Sequence, residues 1–204
     1  MTHLSLTFLG PFQVTLTQTP VTAFESDKVR ALLAYLAVEM NQAHHRSVLA
    51  DLLWPDQTEQ RARTNLRHVL LKLRQAIGDQ TADPPFLLIS RTTVQFNPVS
   101  DHHLDVAAFC EHLATSTVHA HHQLETCQTC MDQLRQAAAS YRGDFLDSFY
   151  MADSSVFEEW VLLNREQFHR QALDTFFHLA AYHERRNEVE EAGRYAQRQI
   201  ELES

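Results

Sequence analysis

The sequence predicts a mainly helical fold with small β elements, built from two domains. Short stretches near the start and between residues 86 and 97 are typical of strands, whereas most of the remaining chain spaces its apolar residues for helices. Residues 1–98 contain nine Lys and Arg against eight Asp and Glu, but residues 99–204 contain eight against eighteen. This asymmetry predicts two units with different partners, over residues 1–98 and 99–204.

The first domain begins with strands and then changes to helices. The stretches LSLTFLG and FQVTL alternate in polarity around the turn dipeptide Gly10-Pro11. Helical spacing begins in DKVRALLAYLAVEM, where Asp27 is the predicted N-cap. A shorter helix follows in SVLADLLW, which Trp54 closes and Pro55 stops.

The third helix has a strongly asymmetric charge pattern, with Thr58 as its predicted start and Gly78 as its predicted stop. At 100° per residue, one apolar face is expected to be buried: Ala62, Leu66, Val69, Leu70, Leu73 and Ile77. The opposite face is polar and basic: Arg61, Thr64, Arg67, His68, Leu71, Lys72 and Gln75, with Arg63 and Arg74 at its boundaries. These side chains have the donors for phosphate oxygens and base edges, although a solvated basic face is the structural alternative.

The segment after this helix predicts a β-hairpin. FLLIS and VQFN are short apolar strands separated by RTT, so that Arg91 lies at the tip, and Pro98 ends the second strand. A short helix, a tight turn, a basic helix and a hairpin follow one another in the order of a winged helix-turn-helix. In that arrangement Arg91 would enter the minor groove of DNA.

The second half is predicted to be wholly helical from Asp101 onward. Its helices are expected in LDVAAFCEHL, in CMDQLRQAAASY, from Ser154 to about Arg186, and from about Glu188. A series of aromatic residues is assigned to the packing of this helical part: Phe145, Phe149, Phe157, Trp160, Phe168, Phe176 and Phe177. We expect the domain to continue beyond Ser204, because EVEEAGRYAQRQIELE resembles the start of helical-repeat packing.

The segment HAHHQLETCQTC raises the question of a metal site. It contains five residues of the types that bind zinc: His119, His121, His122, Cys127 and Cys130. A second C-x2-C pair is absent from the sequence, and unpaired cysteines commonly pack as small apolar residues. We therefore interpret the two cysteines as packing residues at a helix start and predict neither a metal nor another cofactor.

Composition and motifs argue against several classes of protein. The sequence has no Gly-rich phosphate loop, H-E-x-x-H or G-x-S-x-G motif, and it contains four glycines in 204 residues, so we do not expect an enzyme. No apolar run approaches the ~20 residues that cross a bilayer, so no membrane partner is expected. Three cysteines fit a reducing compartment, which predicts a cytoplasmic protein.

Residues 4–97 resemble the OmpR-type winged-helix DNA-binding domain in the form found in the Streptomyces antibiotic regulatory protein family. The stretches that carry this resemblance are LTFLGPFQV, DKVRALLAYLA, LADLLWPD, ARTNLRHVLLKLRQAIGD and LLISRTTVQFNP. The second half resembles the bacterial transcriptional activator domain of the same regulators in LDVAAF, YRGDFLDSF and FEEWVLLNREQF. The resemblance implies a tetratricopeptide-like second domain. It places Thr64, Arg67, His68 and Lys72 in the recognition helix, Arg63 and Arg74 against the DNA backbone, and Arg91 in the wing.

These observations predict a sequence-specific regulator of transcription, and we expect an activator. Its predicted partners are double-stranded DNA with repeated half-sites, the transcription machinery, and further copies of the chain on DNA. Two alternatives stay open. The basic helix could bind an acidic protein partner, for example the acidic second half, or the protein could be a regulator that responds to zinc.

Overall fold

The computed structural model describes residues 2–117 and 124–203. In chain order, the strands are β1 (Leu4–Thr7), β2 (Gly10–Pro11), β3 (Gln13–Leu16), β4 (Thr19–Pro20), β5 (His44–His45), β6 (Leu87–Ile89), β7 (Thr93–Phe96), β8 (His102–Leu104) and β9 (Phe145–Asp147). The helices are α1 (Asp27–Val38), α2 (Arg46–Leu53), α3 (Glu59–Ala76), α4 (Asp105–Thr117), α5 (Gln128–Ser140), α6 (Ser155–Arg185) and α7 (Val189–Leu202). The predicted fold class, mainly helical with small β elements, is confirmed.

The chain forms two compact units, and neither is continuous in sequence. The first unit contains Met1–Phe8, Phe12–Leu104 and Ser148–Leu162. The second unit contains Leu9–Pro11, Asp105–Asp147 and Leu163–Ser204. These units differ from the continuous domains expected from the sequence, because a segment from the second half of the chain packs with the first unit.

The first unit contains two small sheets. One has the order β4-β3-β1-β8, with β1 antiparallel to β3 and parallel to β8. The other has the order β5-β7-β6 and consists of the predicted hairpin with β5 added at its edge. Leu4 and Leu6 of β1 are fully buried, as the alternating pattern predicts.

The prediction of a wholly helical second half is wrong at β8 and β9. Each of these strands has only three residues, and each exists because it pairs with a distant part of the N-terminal region, β8 with β1 and β9 with β2. Segments this short carry no readable period, so the distant partner decides their structure. The prediction of Asp27 as N-cap is also wrong. Ser26 occupies that position in an extended conformation, and Asp27 forms an ion pair with Arg30 instead.

Helix α3 has the buried face that its sequence predicts. Ala62, Leu66, Val69, Leu70 and Leu73 are at most 6% exposed, and Ile77, which caps the helix, is fully buried. The helix begins after Thr58, although the Thr58 side chain makes no capping hydrogen bond. Gly78 then takes a left-handed conformation with φ +66°, which a side chain would disfavour, so the predicted stop is confirmed.

Residues 148–162 complete the core of the first unit. The Ser154 hydroxyl donates to the Leu52 carbonyl over 2.5 Å, and the Trp160 indole N–H donates to the Glu39 carboxylate over 3.0 Å. Phe157 is fully buried and packs edge-on against Phe149. The predicted packing role of these aromatic residues is therefore confirmed, but they pack in the first unit.

The second unit has an aromatic core supplied by α4, α5, β9 and α6. Phe109, Phe145, Phe168 and Phe176 are at most 3% exposed, in agreement with the packing predicted for the last three. The predicted packing of Phe177 is wrong, because its side chain is 58% exposed. Adjacent helical positions point about 100° apart, so Phe176 faces the core while its neighbour faces outward.

Helix α7 is held by partly buried contacts at one side. The Arg198 guanidinium donates to the carbonyl oxygens of Ala138 (3.0 Å) and Tyr141 (2.6 Å) and lies 4.1 Å from the centre of the Phe176 ring. No residue of α7 is fully buried, and Val189 and Ile200 are 71% and 59% exposed. Among the described residues, no helix has the length and hydropathy required to span a membrane.

Candidate nucleic-acid interface

The outward face of α3 lies where the sequence predicts it. Arg61, Arg63, Thr64, Arg67 and His68 are exposed, while Lys72 and Arg74 are partly exposed. Leu71, the one large apolar residue on this face, is 44% exposed. Helix α3 thus exposes basic side chains along its outer side and packs against the first unit through its leucines.

A cavity of about 240 Å³ lies between α3, the start of α2 and the tip of the hairpin. Its lining comprises His45, Arg46, Ser47, Arg63, Leu66, Arg67, Arg91 and Thr92. Four of these residues are arginines, and none of the lining residues is acidic. A concave surface lined by four arginines and no acidic residue favours an anion with several oxygens, such as phosphate.

Arg46 is a member of this cavity that the sequence did not single out. Its guanidinium Nη2 donates to the Ser90 carbonyl over 2.9 Å, and its backbone N–H donates to the Thr92 carbonyl over 2.9 Å. Its Nε is buried and, within the described part of the chain, has no hydrogen-bond partner. The pairing of β5 with β7 brings Arg46 to the hairpin, and no local pattern in the sequence reveals a pairing between residues 48 to 50 positions apart.

The hairpin tip that carries Arg91 is fixed by a local hydrogen-bond network. The Ser90 hydroxyl accepts from the backbone N–H groups of Thr92 (3.1 Å) and Thr93 (2.9 Å), and the Ser90 N–H donates to the Thr93 carbonyl (3.0 Å). The exposed side chain of Arg91 is therefore displayed from an ordered turn. This confirms the predicted hairpin and the position of Arg91 at its tip.

Several basic side chains of α3 already have carboxylate partners. Arg63 pairs with Glu59 one turn earlier at 2.6 Å, and Lys72 and His68 both contact Glu25, at 2.6 and 2.9 Å. Hydrogen bonds from Lys72 and then from His68 hold the pKa of Glu25 below its ordinary value. Within the parts of the chain that the structure describes, Arg61, Arg67 and Arg91 take part in no ion pair.

Arg74 has a structural role at the end of α3. Its Nε donates to Asp79 over 2.8 Å, and the other oxygen of that carboxylate accepts from the backbone N–H of Leu87 over 2.8 Å. The Asp79 side chain is 1% exposed, whereas that of Arg74 is 37% exposed. This Asp79 clamp ties the end of α3 to the first strand of the hairpin, and the predicted contact of Arg74 with DNA stays a prediction.

The structure places two of the five candidate metal ligands. Cys127 is the N-cap of α5, and Cys130 is fully buried in its first turn, as expected for a packing residue. Burial and a hydrogen bond with Cys127 raise the pKa of Cys130 to about 11. His119, His121 and His122 lie outside the described residues. Within the described residues, no three His, Cys, Asp or Glu side chains are grouped as metal ligands.

The comparison with known families concerns the second half of the chain. Residues 104–204 match the family model described as Bacterial transcriptional activator domain. This chain carries a bacterial transcriptional activator domain. The resemblance of the second half is thereby confirmed, and the activator domain includes α4 to α7 together with β9. No curated protein matched the sequence.

A solved structure supports a shared fold over a longer range. EmbR of Mycobacterium tuberculosis, solved in complex with a low affinity phosphopeptide, is 20% identical to this chain and superposes with a TM-score of 0.66. The match covers 99% of this chain, and the chain spans 57% of the EmbR chain. At this identity the likeness concerns the fold alone. Because the match covers 99% of this chain, the likeness in fold includes the first unit as well as the activator domain.

Proposed function

We propose that the protein is a sequence-specific, DNA-binding regulator of transcription, acting as an activator in the cytoplasm. The first unit is a winged helix-turn-helix, with α2 as the positioning helix, α3 as the recognition helix in the major groove, and β6 and β7 as the wing. The observation that carries this proposal is the cavity between helix and hairpin whose lining includes Arg46, Arg63, Arg67 and Arg91 and no acidic residue.

The chemistry of these side chains suits the two parts of a DNA site. Arg46 and Arg63 are positioned to hold a backbone phosphate at the cavity, where a guanidinium can donate two parallel hydrogen bonds. Thr64 and Arg67 point outward from the first half of α3, which is the part of a recognition helix that reaches base edges, and His68 is exposed directly after them. Arg91, displayed from an ordered turn, reads the minor groove.

The activator domain gives the second unit its proposed role. One recognition helix contacts only a few base pairs, so two or more copies on repeated half-sites would give the specificity that a regulator requires. The second unit would then hold the copies together or contact the transcription machinery. Its excess of acidic residues suits a protein partner better than the DNA backbone.

A second candidate function is binding of an acidic protein by α3. The observation in its favour is that the outward face already accepts a carboxylate, since Lys72 and His68 contact Glu25. In this case the four-arginine cavity would bind an acidic side chain in place of a phosphate.

The proposal is tested by selecting duplexes from a random pool with the full chain. The wild type should enrich a short repeated motif. Arg67→Ala should weaken binding to that motif by about 1–3 kcal/mol and relax the preference at one base pair. Arg63→Ala should weaken binding to all sequences alike and reduce the salt dependence by about one counterion.

The matched control is Arg194→Ala in α7, which removes the same charge from an exposed position in the other unit. It should leave the motif and the affinity unchanged. An unchanged motif and affinity in both Arg67→Ala and Arg63→Ala would refute the assigned face. Failure of the wild type to enrich any motif, with weak binding that disappears at moderate salt, would favour the acidic-partner function.

A further inference from the structure

Glu25 is an acidic residue placed directly on the proposed DNA-binding face. It belongs to the segment between β4 and α1. Its two carboxylate oxygens are divided between two residues of α3, with Oε1 2.9 Å from His68 Nε2 and Oε2 2.6 Å from Lys72 Nζ. One carboxylate thus contacts two residues that lie 43 and 47 positions later in the sequence. This contact lies on the C-terminal part of the outward face of α3, the face on which Arg67 is also exposed.

The contact is accessible to solvent and has space beside it. The exposed fractions of the side chains are 48% for Glu25, 60% for His68 and 32% for Lys72. A cavity of about 500 Å³ separates part of this segment from α3, with Val21, Ala23, Lys72 and Gln75 among its lining residues. An ion pair so exposed is weak, and a ligand with a higher charge density can displace it.

A phosphate and the Glu25 carboxylate would compete for the same hydrogen-bond donors, Lys72 and His68. Both are oxygen anions that accept hydrogen bonds from an ammonium or imidazole group. DNA approaching Lys72 would have to replace Glu25, and the displaced carboxylate would remain close to the negatively charged backbone. Both effects oppose binding, and both are independent of the base sequence.

We propose that Glu25 is an intramolecular competitor of DNA, which holds Lys72 and His68 in the unbound protein and thereby lowers the affinity for every sequence. The inference rests on the proposed DNA-binding function. It gives Glu25 a role that differs from that of Glu59, which pairs with a neighbour on its own helix through an ordinary helical spacing. Base contacts by residues such as Arg67 must therefore contribute enough binding free energy to offset this competition.

The test measures the affinity of the full chain for two duplexes over a series of salt concentrations. One duplex carries the motif that the wild type selects, and the other is a scrambled sequence of equal length and composition. Glu25→Gln should tighten binding to both duplexes about two- to fivefold at about 0.1 M salt, the size expected when an exposed ion pair is released. The slope of log K against log salt should steepen by about 0.9, because the variant lacks the carboxylate that offsets the charge of Lys72 beside the DNA backbone.

Two further variants separate this mechanism from a general change of charge. Glu184→Gln removes the same charge from an exposed position in the second unit and should leave both affinities unchanged. Lys72→Ala removes the cation for which the two anions compete, so Glu25→Gln should have a much smaller effect in that background. Thermal unfolding of each variant establishes that the differences do not come from loss of the fold.

Each outcome decides the inference. A gain in affinity for both duplexes that depends on Lys72 supports it. Sequence-specific binding by the wild type together with unchanged or weaker binding by Glu25→Gln overturns it and leaves the proposed function intact, with Glu25 as a residue that orients Lys72 toward DNA. Absence of binding by the wild type and by Glu25→Gln overturns both.

Discussion

Replacing Asp79 should loosen the connection between α3 and the hairpin by a calculable amount. The carboxylate is almost completely buried and accepts two hydrogen bonds of 2.8 Å, one from Arg74 and one from the Leu87 N–H. Asp79→Ala leaves the Leu87 N–H buried without an acceptor, which costs about 1–3 kcal/mol. Arg74 is 37% exposed and regains water, so loss of the ion pair adds only about 1 kcal/mol. The free energy of unfolding should therefore fall by about 2–4 kcal/mol.

A conservative variant and a control make this estimate decisive. Asp79→Asn keeps one oxygen that can accept from Leu87, but its amide nitrogen cannot accept from Arg74. The variant therefore loses the ion pair and hydrogen bond with the partly exposed Arg74, and its cost should be about 1 kcal/mol. Asp51→Asn changes an exposed carboxylate on α2 and should remain within about 0.5 kcal/mol of the wild type.

The assay is urea unfolding followed by tryptophan fluorescence. The chain has two tryptophans, Trp54 and Trp160, and both belong to the first unit, so the signal reports the unit that contains Asp79. Midpoints compared at constant slope give the change in stability. Equal effects of Asp79→Ala and Asp79→Asn would refute the reasoning, because the buried acceptor for Leu87 would then contribute nothing.

The other predictions concern the core and the thiols. Phe157→Ala should lower the free energy of unfolding of the first unit by about 3–5 kcal/mol, because the ring is fully buried, whereas Leu162→Ala, at a 62% exposed position, should change it by less than about 0.5 kcal/mol. Equal fluorescence midpoints for the two variants would contradict the assignment of residues 148–162 to that core. The raised pKa of Cys130, about 11, should make its thiolate about a hundredfold scarcer at pH 8 than that of an ordinary thiol, so alkylation traced by mass spectrometry should require unfolding. The same shift means that the folded state binds the proton more tightly, so this contribution to stability is complete below about pH 9 and decreases as the pH rises toward 11. Rapid alkylation of Cys130 in the native protein at pH 8 would contradict the burial.

Helix α3 shows how far a local pattern can predict a candidate site. Its limits, its buried leucines and its exposed arginines all follow from the 3.6-residue period and from Gly78, because a long amphipathic helix can bury only one side. The pattern does not indicate which cations are already paired. Glu25 and Asp79 lie outside the helix, and their contacts with Lys72 and Arg74 depend on how the neighbouring loops fold back.

Phe177 and the two three-residue strands mark where the local pattern fails. A run of aromatic residues predicts a core, but two adjacent helical positions cannot both face it, and the sequence does not indicate which of the two is inside. β8 and β9 pair with strands more than ninety residues earlier in the chain. A short segment that gains its hydrogen bonds from so distant a partner carries too few residues to signal its structure alone.

The sequence by itself determined the helices, the hairpin, the basic face of α3 and the activator-domain character of the second half, because each depends on residue spacing or on motifs within one segment. The tertiary structure alone decided that Arg46 joins Arg63, Arg67 and Arg91 around one cavity, that Glu25 contacts both Lys72 and His68 of α3, and that residues 148–162 complete the first unit. These features arise when segments far apart in the chain meet. The free energy that stabilises these contacts comes from burial and hydrogen bonding summed over the whole unit. No single stretch of sequence contains that sum.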